Sequence, residues 1–369
     1  MRMRAKPWAR PELAACPFNI RNPAEHWGKW SSVFAEKKPL RMELGCGKGE
    51  FVAQICTAEP DYNYLAIDIK SEVLVLAKRA VEASGVDRKV IAVSRFTDPF
   101  VVALMEKEHV ECISCDLTKP DQIAKLPKVK NIIYMAGRKF GTNGAECETW
   151  EMNVAVPAYV TQHFGDARYV VFSTSNVYPF ATPKSGGNTE DVTPSPIGEY
   201  AISCLGRERI FEYAARHFGA KVVNFRLSYA IDLRYGILYD ISSWIMAEKP
   251  IPLTVPAFNC VWQRYVNEVA LRSLFMASEK VENLNVTGPE MVNVRYAATQ
   301  LGKLLGKEPI FEGEEGERGI LCNAAKCIRN YGYPDMGLDE MIEKQAEWVL
   351  AGGRQLGKPT HFEESKGKF

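Results

Sequence analysis

Leu40-Arg-Met-Glu-Leu-Gly-Cys-Gly-Lys-Gly-Glu-Phe51 decides the fold. An apolar run, Leu40–Leu44, leads straight into three glycines at alternate positions, and a helix-like pattern opens at Glu50. A strand feeding a bare backbone turn and then a helix is the start of a β-α-β unit. Glycine is wanted at that turn because a ligand can approach the chain with no Cβ between them. Nineteen residues after Gly49, Asp68 closes the next strand-like run. A carboxylate there can accept both ribose hydroxyls of a nucleotide. Gly45, Gly47, Gly49 and Asp68 are therefore the first candidate cofactor-binding residues.

The same alternation continues along the chain. Strands are expected at Leu40–Leu44, Tyr64–Ile69, Lys89–Ser94, Val110–Cys115, Asn131–Met135, Arg168–Ser173 and Lys221–Leu227. Helices, each with one apolar stripe, are expected at Glu50–Thr57, Ser71–Ala83, Asp98–His109, Glu148–His163 and Glu199–Phe218. Strands alternating with helices build a parallel sheet, so the expected class is α/β, a doubly wound parallel (Rossmann-like) sheet. Beyond Leu227 the elements shorten, with helices expected at Tyr239–Ala247, Asn267–Ser278, Arg295–Leu305 and Leu338–Leu350. These read as a smaller substrate-side C-terminal domain. The Pro/Gly/Ser-rich loop Pro179–Pro196 reads either as a movable flap or as an ordinary surface loop.

Composition narrows the function. Across 369 residues, 46 basic side chains balance 45 acidic ones, which leaves no overall field for nucleic acid; only Arg2, Arg4, Lys6 and Arg10 cluster. No apolar run is long enough for a membrane span or a signal h-region, so a cytoplasmic protein is expected. The ten cysteines are scattered, as reduced thiols would be. Cys112 and Cys115 sit in a strand-like segment that points side chains three apart to opposite faces, which argues against a redox or zinc pair. The five histidines lie far from one another in sequence, and no metal site is expected.

Two resemblances refine the reading. Met1-Arg-Met-Arg-Ala-Lys-Pro-Trp-Ala9, Gly28-Lys-Trp30, Glu43-Leu-Gly-Cys-Gly-Lys-Gly49 and Ala66-Ile-Asp-Ile-Lys-Ser71 together resemble the amino-terminal part of bacterial tRNA guanine-N7 methyltransferases. That resemblance covers roughly residues 1–83 and implies S-adenosylmethionine as an alternative cofactor, with tRNA as partner only under that alternative. The family's Asp-Pro-Trp-Pro type motif has no counterpart later in the chain; Asp98-Pro-Phe100 stands in another context.

From Lys89 onward the chain resembles an extended short-chain dehydrogenase of the NAD-dependent epimerase/dehydratase type. Lys89-Val-Ile-Ala-Val-Ser-Arg95 is similar to its second strand, where Arg95 would favour the 2′-phosphate of NADP. Cys115-Asp-Leu117 resembles the pair that touches adenine, which assigns Asp116 and Leu117 to the cofactor. Tyr134-Met-Ala-Gly-Arg138 resembles the small-residue loop after the fourth strand, which assigns Ala136 and Gly137. Asn153 matches the asparagine that braces the active site. Phe172-Ser-Thr-Ser-Asn-Val-Tyr-Pro179 resembles the catalytic strand end, so Thr174 is the hydroxyl that holds a substrate oxygen. Tyr200 follows 26 residues later at a helix start and is the proton-exchanging phenol. Arg226-Leu-Ser-Tyr-Ala230 and Asn285-Val-Thr-Gly-Pro289 resemble later segments of the same family.

Two departures from the family stand out. Its Tyr-x-x-x-Lys pattern has Cys204 where the lysine belongs, so Arg207 or Lys139 must supply a cation if one is supplied. Cys204→Lys is expected to raise hydride-transfer activity, and Tyr200→Phe to abolish it. The family's own first strand and glycine loop are also replaced by the methyltransferase-like piece, so the chain reads as a chimera joined near Ala83–Lys89. Five β-α units then precede the catalytic strand where the family has four. The surplus strand is expected inside a wider sheet, in the order 110, 89, 64, 40, 131, 168 by first residues.

The expected organisation is 1–86, 87–235 and 236–369. The expected function is NAD- or NADP-dependent epimerase, dehydratase or reductase chemistry on a small sugar-like carbinol, with a homodimer as a candidate assembly. The alternatives are a methyltransferase-derived S-adenosylmethionine-binding protein and a catalytically silent nucleotide-binding protein.

Overall fold

A computed structural model describes Lys37 and Lys38, the backbones of four strands between Leu40 and Ser114, and residues 115–367. Eight strands form one sheet: β1 (Leu40–Leu44), β2 (Asn63–Ile67), β3 (Val90–Ser94), β4 (Val110–Ser114), β5 (Asn131–Tyr134), β6 (Arg168–Thr174), β7 (Lys221–Leu227) and β8 (Glu282–Val286). The spatial order is β8-β7-β6-β5-β1-β2-β3-β4, and every pairing is parallel. This is the expected order, with the surplus unit inside the sheet. Strand order reverses between β1 and β5, where Arg41 pairs with Asn131 and Leu44 with Tyr134. In an open α/β sheet such a switch point leaves a crevice at the carboxyl ends of the two strands, which is where ligands bind.

Parallel strands are buried on both faces, and the interior ones read accordingly. Successive residues Tyr169, Val170 and Val171 of β6 all lie inside, as do Val222, Val223 and Phe225 of β7. One face is covered by a helical segment that starts as α1 (Glu146–Trp150), makes a π-helical turn at Glu151–Ala155 and ends as α2 (Val156–Phe164). Beside it runs α3 (Glu199–Phe218). Phe211 of α3 sits edge-on to both Tyr134 and Tyr169, with ring centroids 5.1 Å apart in each case. Burying a ring of that size contributes about 1.5–3 kcal/mol.

The sequence predicts one uninterrupted helix at Glu148–His163. The π turn is the difference, and Pro157 is its local cause: it has no N–H to donate to the carbonyl of residue 153, so the helical ladder cannot run through evenly. Beyond β7, α4 (Ile237–Met246), α5 (Gln263–Arg272), α6 (Val294–Leu305) and α7 (Leu338–Leu350) follow. Leu238, Ile241, Ala298, Leu301 and Ile342 from α4, α6 and α7 share a second apolar cluster. The 236–369 segment is not spatially self-contained, because β8 returns to the large sheet beside β7. The loop Pro179–Pro196 is tied down rather than free: Ala181 bridges Gly319, and Asn188 bridges Cys322. Among the described residues no helix is long and apolar enough to cross a membrane.

Candidate active site

Thr174 ends β6, one strand out from β5 at the switch point, and is 6% exposed. Its Oγ1 accepts the Asn176 amide at 3.2 Å and so starts the short 3-10 turn Ser175–Val177. Tyr200 lies in the first turn of α3. The Tyr200 phenol is hydrogen-bonded to Thr174 and to the Cys204 thiol. The structure thus brings these two sequence-predicted hydroxyls next to each other. Burial pushes the Tyr200 phenol well above its ordinary value; the neighbouring thiol acts in the same direction, while Arg207 and the Thr174 bond oppose it. Burial also pushes the Cys204 thiol up, against Arg207, so it stays neutral.

Asn153 sits in the π turn, fully buried. Its Oδ1 accepts the Arg138 amide at 2.8 Å, and its Nδ2 donates to the Arg138 carbonyl at 3.0 Å and to Ser203 Oγ at 2.9 Å. One side chain thus clamps the loop after β5 to the start of α3. Ser203 in turn donates to the Tyr200 carbonyl at 2.9 Å. Arg207, two turns past Tyr200, leans back toward the helix start, as long helical side chains do. It donates from Nη1 to the Phe172 carbonyl at 2.7 Å and from Nη2 to Asn153 Oδ1. Lys139 takes another direction: its ammonium donates to the Tyr235 hydroxyl at 3.3 Å and faces the rings of Phe140 and Tyr229.

Ala136 is buried in the loop after β5. At Gly137 an added Cβ would stand 2.3 Å from Arg207 Nη2 and 3.0 Å from Asn153 Oδ1. Both neighbours are anchored at the far side, so neither can swing away. Gly137→Ala is expected to cost about 1–3 kcal/mol by overpacking, read as a lower urea midpoint at unchanged slope; an unchanged midpoint would show that the loop gives way freely.

The assignment of Asp116 and Leu117 to the adenine is corrected by the sheet. They follow β4, three strands out from β1 and so roughly 14 Å from the crevice at ordinary strand spacing. Asp116 Oδ1 is used locally, accepting the amide and hydroxyl of Thr118 at 2.9 and 2.8 Å, and Leu117 belongs to the apolar core. Gly45, Gly47, Gly49, Asp68 and Arg95 lie outside the described residues. Cys115, of the C-x-x-C, is a free, buried thiol raised to about 12 by burial and by Asp116. No group of three metal-ligating side chains occurs among the described residues.

Sequence reading missed a buried network behind the hydroxyl pair. Glu208 and Arg226 form an ion pair at 2.7 Å with side chains 0% and 2% exposed. Ser173, next to Thr174, donates to Glu208 Oε1 at 2.6 Å. Arg226 Nη1 donates to the Tyr178 hydroxyl at 2.8 Å, which donates to Asn285 Oδ1 at 2.8 Å. The signal for it was an arginine near the end of a strand that is apolar at Val222, Val223, Phe225 and Leu227.

The segment 354–367 was also missed. Its Thr360 donates to Asp240 from both amide and hydroxyl, at 2.7 and 2.6 Å. Its Phe362 packs on Trp244, and its Gly367 lies so close to Gly198, two residues before Tyr200, that a Cβ there would meet the Gly367 carbonyl. Glu364 and Gly367 line a small cavity with Asn176, Tyr178 and Ile197 beside the Ser175–Val177 turn.

Residues 75–231 match the NAD dependent epimerase/dehydratase family. The matched segment begins earlier than the sequence motifs suggested, and it contains Thr174, Tyr200 and Asn153. Solved structures with the same fold include UDP-glucuronic acid 4-epimerase from Bacillus cereus in complex with NAD (15% identity, TM-score 0.64, covering 84% of this chain and 96% of that one). UDP-glucose 4-epimerase from Thermotoga maritima is another (14% identity, TM-score 0.63, 85% and 99%). The amino-terminal part is similar to tRNA (guanine-N(7)-)-methyltransferases. That of Clostridium beijerinckii is 48% identical over 126 residues, 34% of this chain and 54% of that protein. That of Clostridium perfringens (strain 13 / Type A) is 58% identical over 83 residues, 22% and 38%. The chain thus spans about half or less of these methyltransferases.

Proposed function

We propose that the protein is a cytoplasmic, nicotinamide-dependent enzyme of the epimerase/dehydratase type that acts on a hydroxyl-bearing carbon of a sugar-like substrate. The observation that carries this reading is the hydrogen-bonded Thr174–Tyr200 pair beside the β1/β5 switch point. Two hydroxyls converging on one point are what a carbinol or carbonyl oxygen needs: Thr174 donates to it, and Tyr200 takes or returns its proton. A nicotinamide dinucleotide would lie over the loop after β5 at Ala136 and Gly137, whose small residues also let that loop pack against Arg207 and Asn153. A bound nicotinamide would supply the acceptor or donor of the hydride. Asn153 and Ser203 keep the loop and the helix start in register. The UDP-sugar and NAD complexes of the structural neighbours support this substrate and cofactor class.

The test is equilibrium binding of NAD, NADP and S-adenosylmethionine side by side. Binding of NAD or NADP, with a hydride-transfer signal on a panel of nucleotide sugars, is the expected result. Binding of S-adenosylmethionine alone would favour the second reading, a methyltransferase-derived binding protein, which the identity of the amino-terminal part to methyltransferases supports. Labelled methyl transfer to tRNA is expected to stay at the no-enzyme blank, because no Asp-Pro-Trp-Pro type motif follows the glycine loop.

A further inference from the structure

The carboxyl-terminal segment touches both sides of the site. Leu356 donates its amide to the Arg234 carbonyl at 3.1 Å, and the Lys358 ammonium faces the ring of Phe140, on the loop after β5, 5.6 Å from its centroid. Gly367 then rests on Ile197 and Gly198, just before Tyr200. A segment that meets the loop at one point and the helix start at another spans the space between them. Its hold is uneven. The middle is anchored: Thr360 is fully buried and donates twice to Asp240, at 2.7 and 2.6 Å, and Phe362, also buried, packs on Trp244. The tip is held differently. Its hydrogen bonds stay inside the segment, the Glu364 amide donating to the His361 carbonyl at 3.0 Å and the Lys366 amide to Glu364 Oε1. Among the described residues, none joins residues 363–367 to the rest of the molecule. What seats the tip is shape: Gly198 and Gly367 both have left-handed φ, +83° and +76°, and a Cβ on either would strike the other's backbone.

We propose that residues 363–367 are a gate, which lifts from Gly198 while Thr360 and Phe362 stay seated and so opens the way for substrate to the Thr174–Tyr200 pair. The gate's purpose rests on the epimerase/dehydratase reading, but its opening is a property of the free protein. Local opening follows the weakest hold. A segment with few buried apolar contacts and no hydrogen bonds to its surroundings opens at far lower free energy than one whose polar groups are paired in the interior. The tip is of the first kind and Thr360 of the second. In the closed position Glu364 and Gly367 meet Asn176, Tyr178 and Ile197 around the small cavity, against the turn that Thr174 caps. The seated tip is thus in contact with the residue two after Thr174 and with the residue two before Tyr200. A sugar-sized molecule approaching the two hydroxyls from that side meets the tip first.

The test needs neither cofactor nor substrate. In the full-length protein Asn176→Cys places a thiol in the cavity that the tip closes. Its alkylation by iodoacetamide is followed by peptide mass mapping, with the exposed thiol of Cys147 as internal standard. Gly367→Val keeps the tip unseated, because its Cβ would stand 2.5 Å from the Ile197 carbonyl oxygen and 2.7 Å from Gly198 Cα. Alkylation at position 176 is expected to be slow but measurable with glycine at 367, and faster by about tenfold or more with valine, while Cys147 reacts equally in both. Equal rates at position 176 would show that the tip covers nothing. No alkylation at all until valine is introduced would show a fixed wall that never lifts. Either result overturns the proposal. Should Asn176→Cys fail to fold, Phe180→Cys, on the wall of the same cavity, gives the same comparison. Binding is read separately, with UDP-glucose as the probe: Gly367→Val should raise its association rate, and a bound probe with an unchanged rate would also overturn the gate. Absence of UDP-glucose binding to either protein counts against the proposed function, and the alkylation rates then decide the gate alone.

Discussion

Tyr200→Phe is expected to lower hydride transfer by about 10²- to 10⁴-fold, the usual worth of a positioned acid or base. The ring stays, so the apolar contacts with Val177, Tyr178 and Cys204 stay; only the hydroxyl's bonds to Thr174 and Cys204 go. The stability cost should be near that of one hydrogen bond, about 0.5–1.5 kcal/mol. Cofactor binding should change little, which separates loss of chemistry from loss of the site. Stopped-flow reduction of the nicotinamide with a turned-over nucleotide sugar, together with a melting curve, gives both numbers. A Phe variant within threefold of the parent would remove Tyr200 from the reaction. Cys204→Lys alone, expected from sequence to help, is now expected to give no gain, because the position is fully enclosed and an ammonium there would be taken out of water.

The second large effect lies in the ion pair behind the site. Glu208→Gln leaves Arg226 charged, 2% exposed and without its counter-ion, and breaking a buried pair by removing one partner typically costs about 3–5 kcal/mol. The Gln Oε1 can still accept from Ser173, but its Nε2 would face Arg226 Nη2 donor to donor, so the network next to Thr174 should loosen as the fold loses stability. Replacing both partners, Glu208→Leu with Arg226→Met, should recover most of the loss, since an apolar pair of similar volume leaves no charge stranded. Chemical denaturation of the single and double variants decides this. A Glu208→Gln cost below about 1 kcal/mol would mean that the pair is not the closed network described.

Strand order and the long helix were legible because they rest on strong, local patterns. The helix Glu199–Phe218 is observed with the bounds read from sequence, set by an apolar stripe between Gly198 and Gly219. The order β4-β3-β2-β1-β5-β6 followed from counting units and from the need to bury both faces of a parallel strand. Thr174 and Tyr200 were singled out by the resemblance of Phe172–Pro179 and the 26-residue spacing to Tyr200, and the structure sets the two side by side. What stayed hidden depends on partners far away in sequence. β8 reads Glu-Asn-Leu-Asn-Val, with too little apolar run to mark a strand by itself; only the resemblance of Asn285–Pro289 to a strand and turn pointed to it, and its tie to the site appears when Tyr178 is seen to donate to Asn285. Glu208 and Arg226, 18 residues apart, look like surface charges until the fold closes on them. The segment 354–367, rich in lysine, glutamate and glycine, carries no pattern of its own; its place comes from Asp240 and Gly198.

The pairing of β1 with β5 also sets a timetable. Arg41 and Asn131 are register partners 90 residues apart. At a synthesis rate of roughly 5–20 residues per second, β1 waits about 5–18 s on the ribosome before its partner exists. During that interval β1 to β4 can assemble by short crossovers, since each of these strands pairs with its successor. The open edge of β1 is then the surface to which the second half must add. Closing so distant a contact is slow relative to local pairing, and the crevice at the switch point comes into being only at that step. The ligand site is therefore among the last features of the molecule to form, and an unprotected β1 edge is where a folding chain is most exposed to pairing with the wrong neighbour.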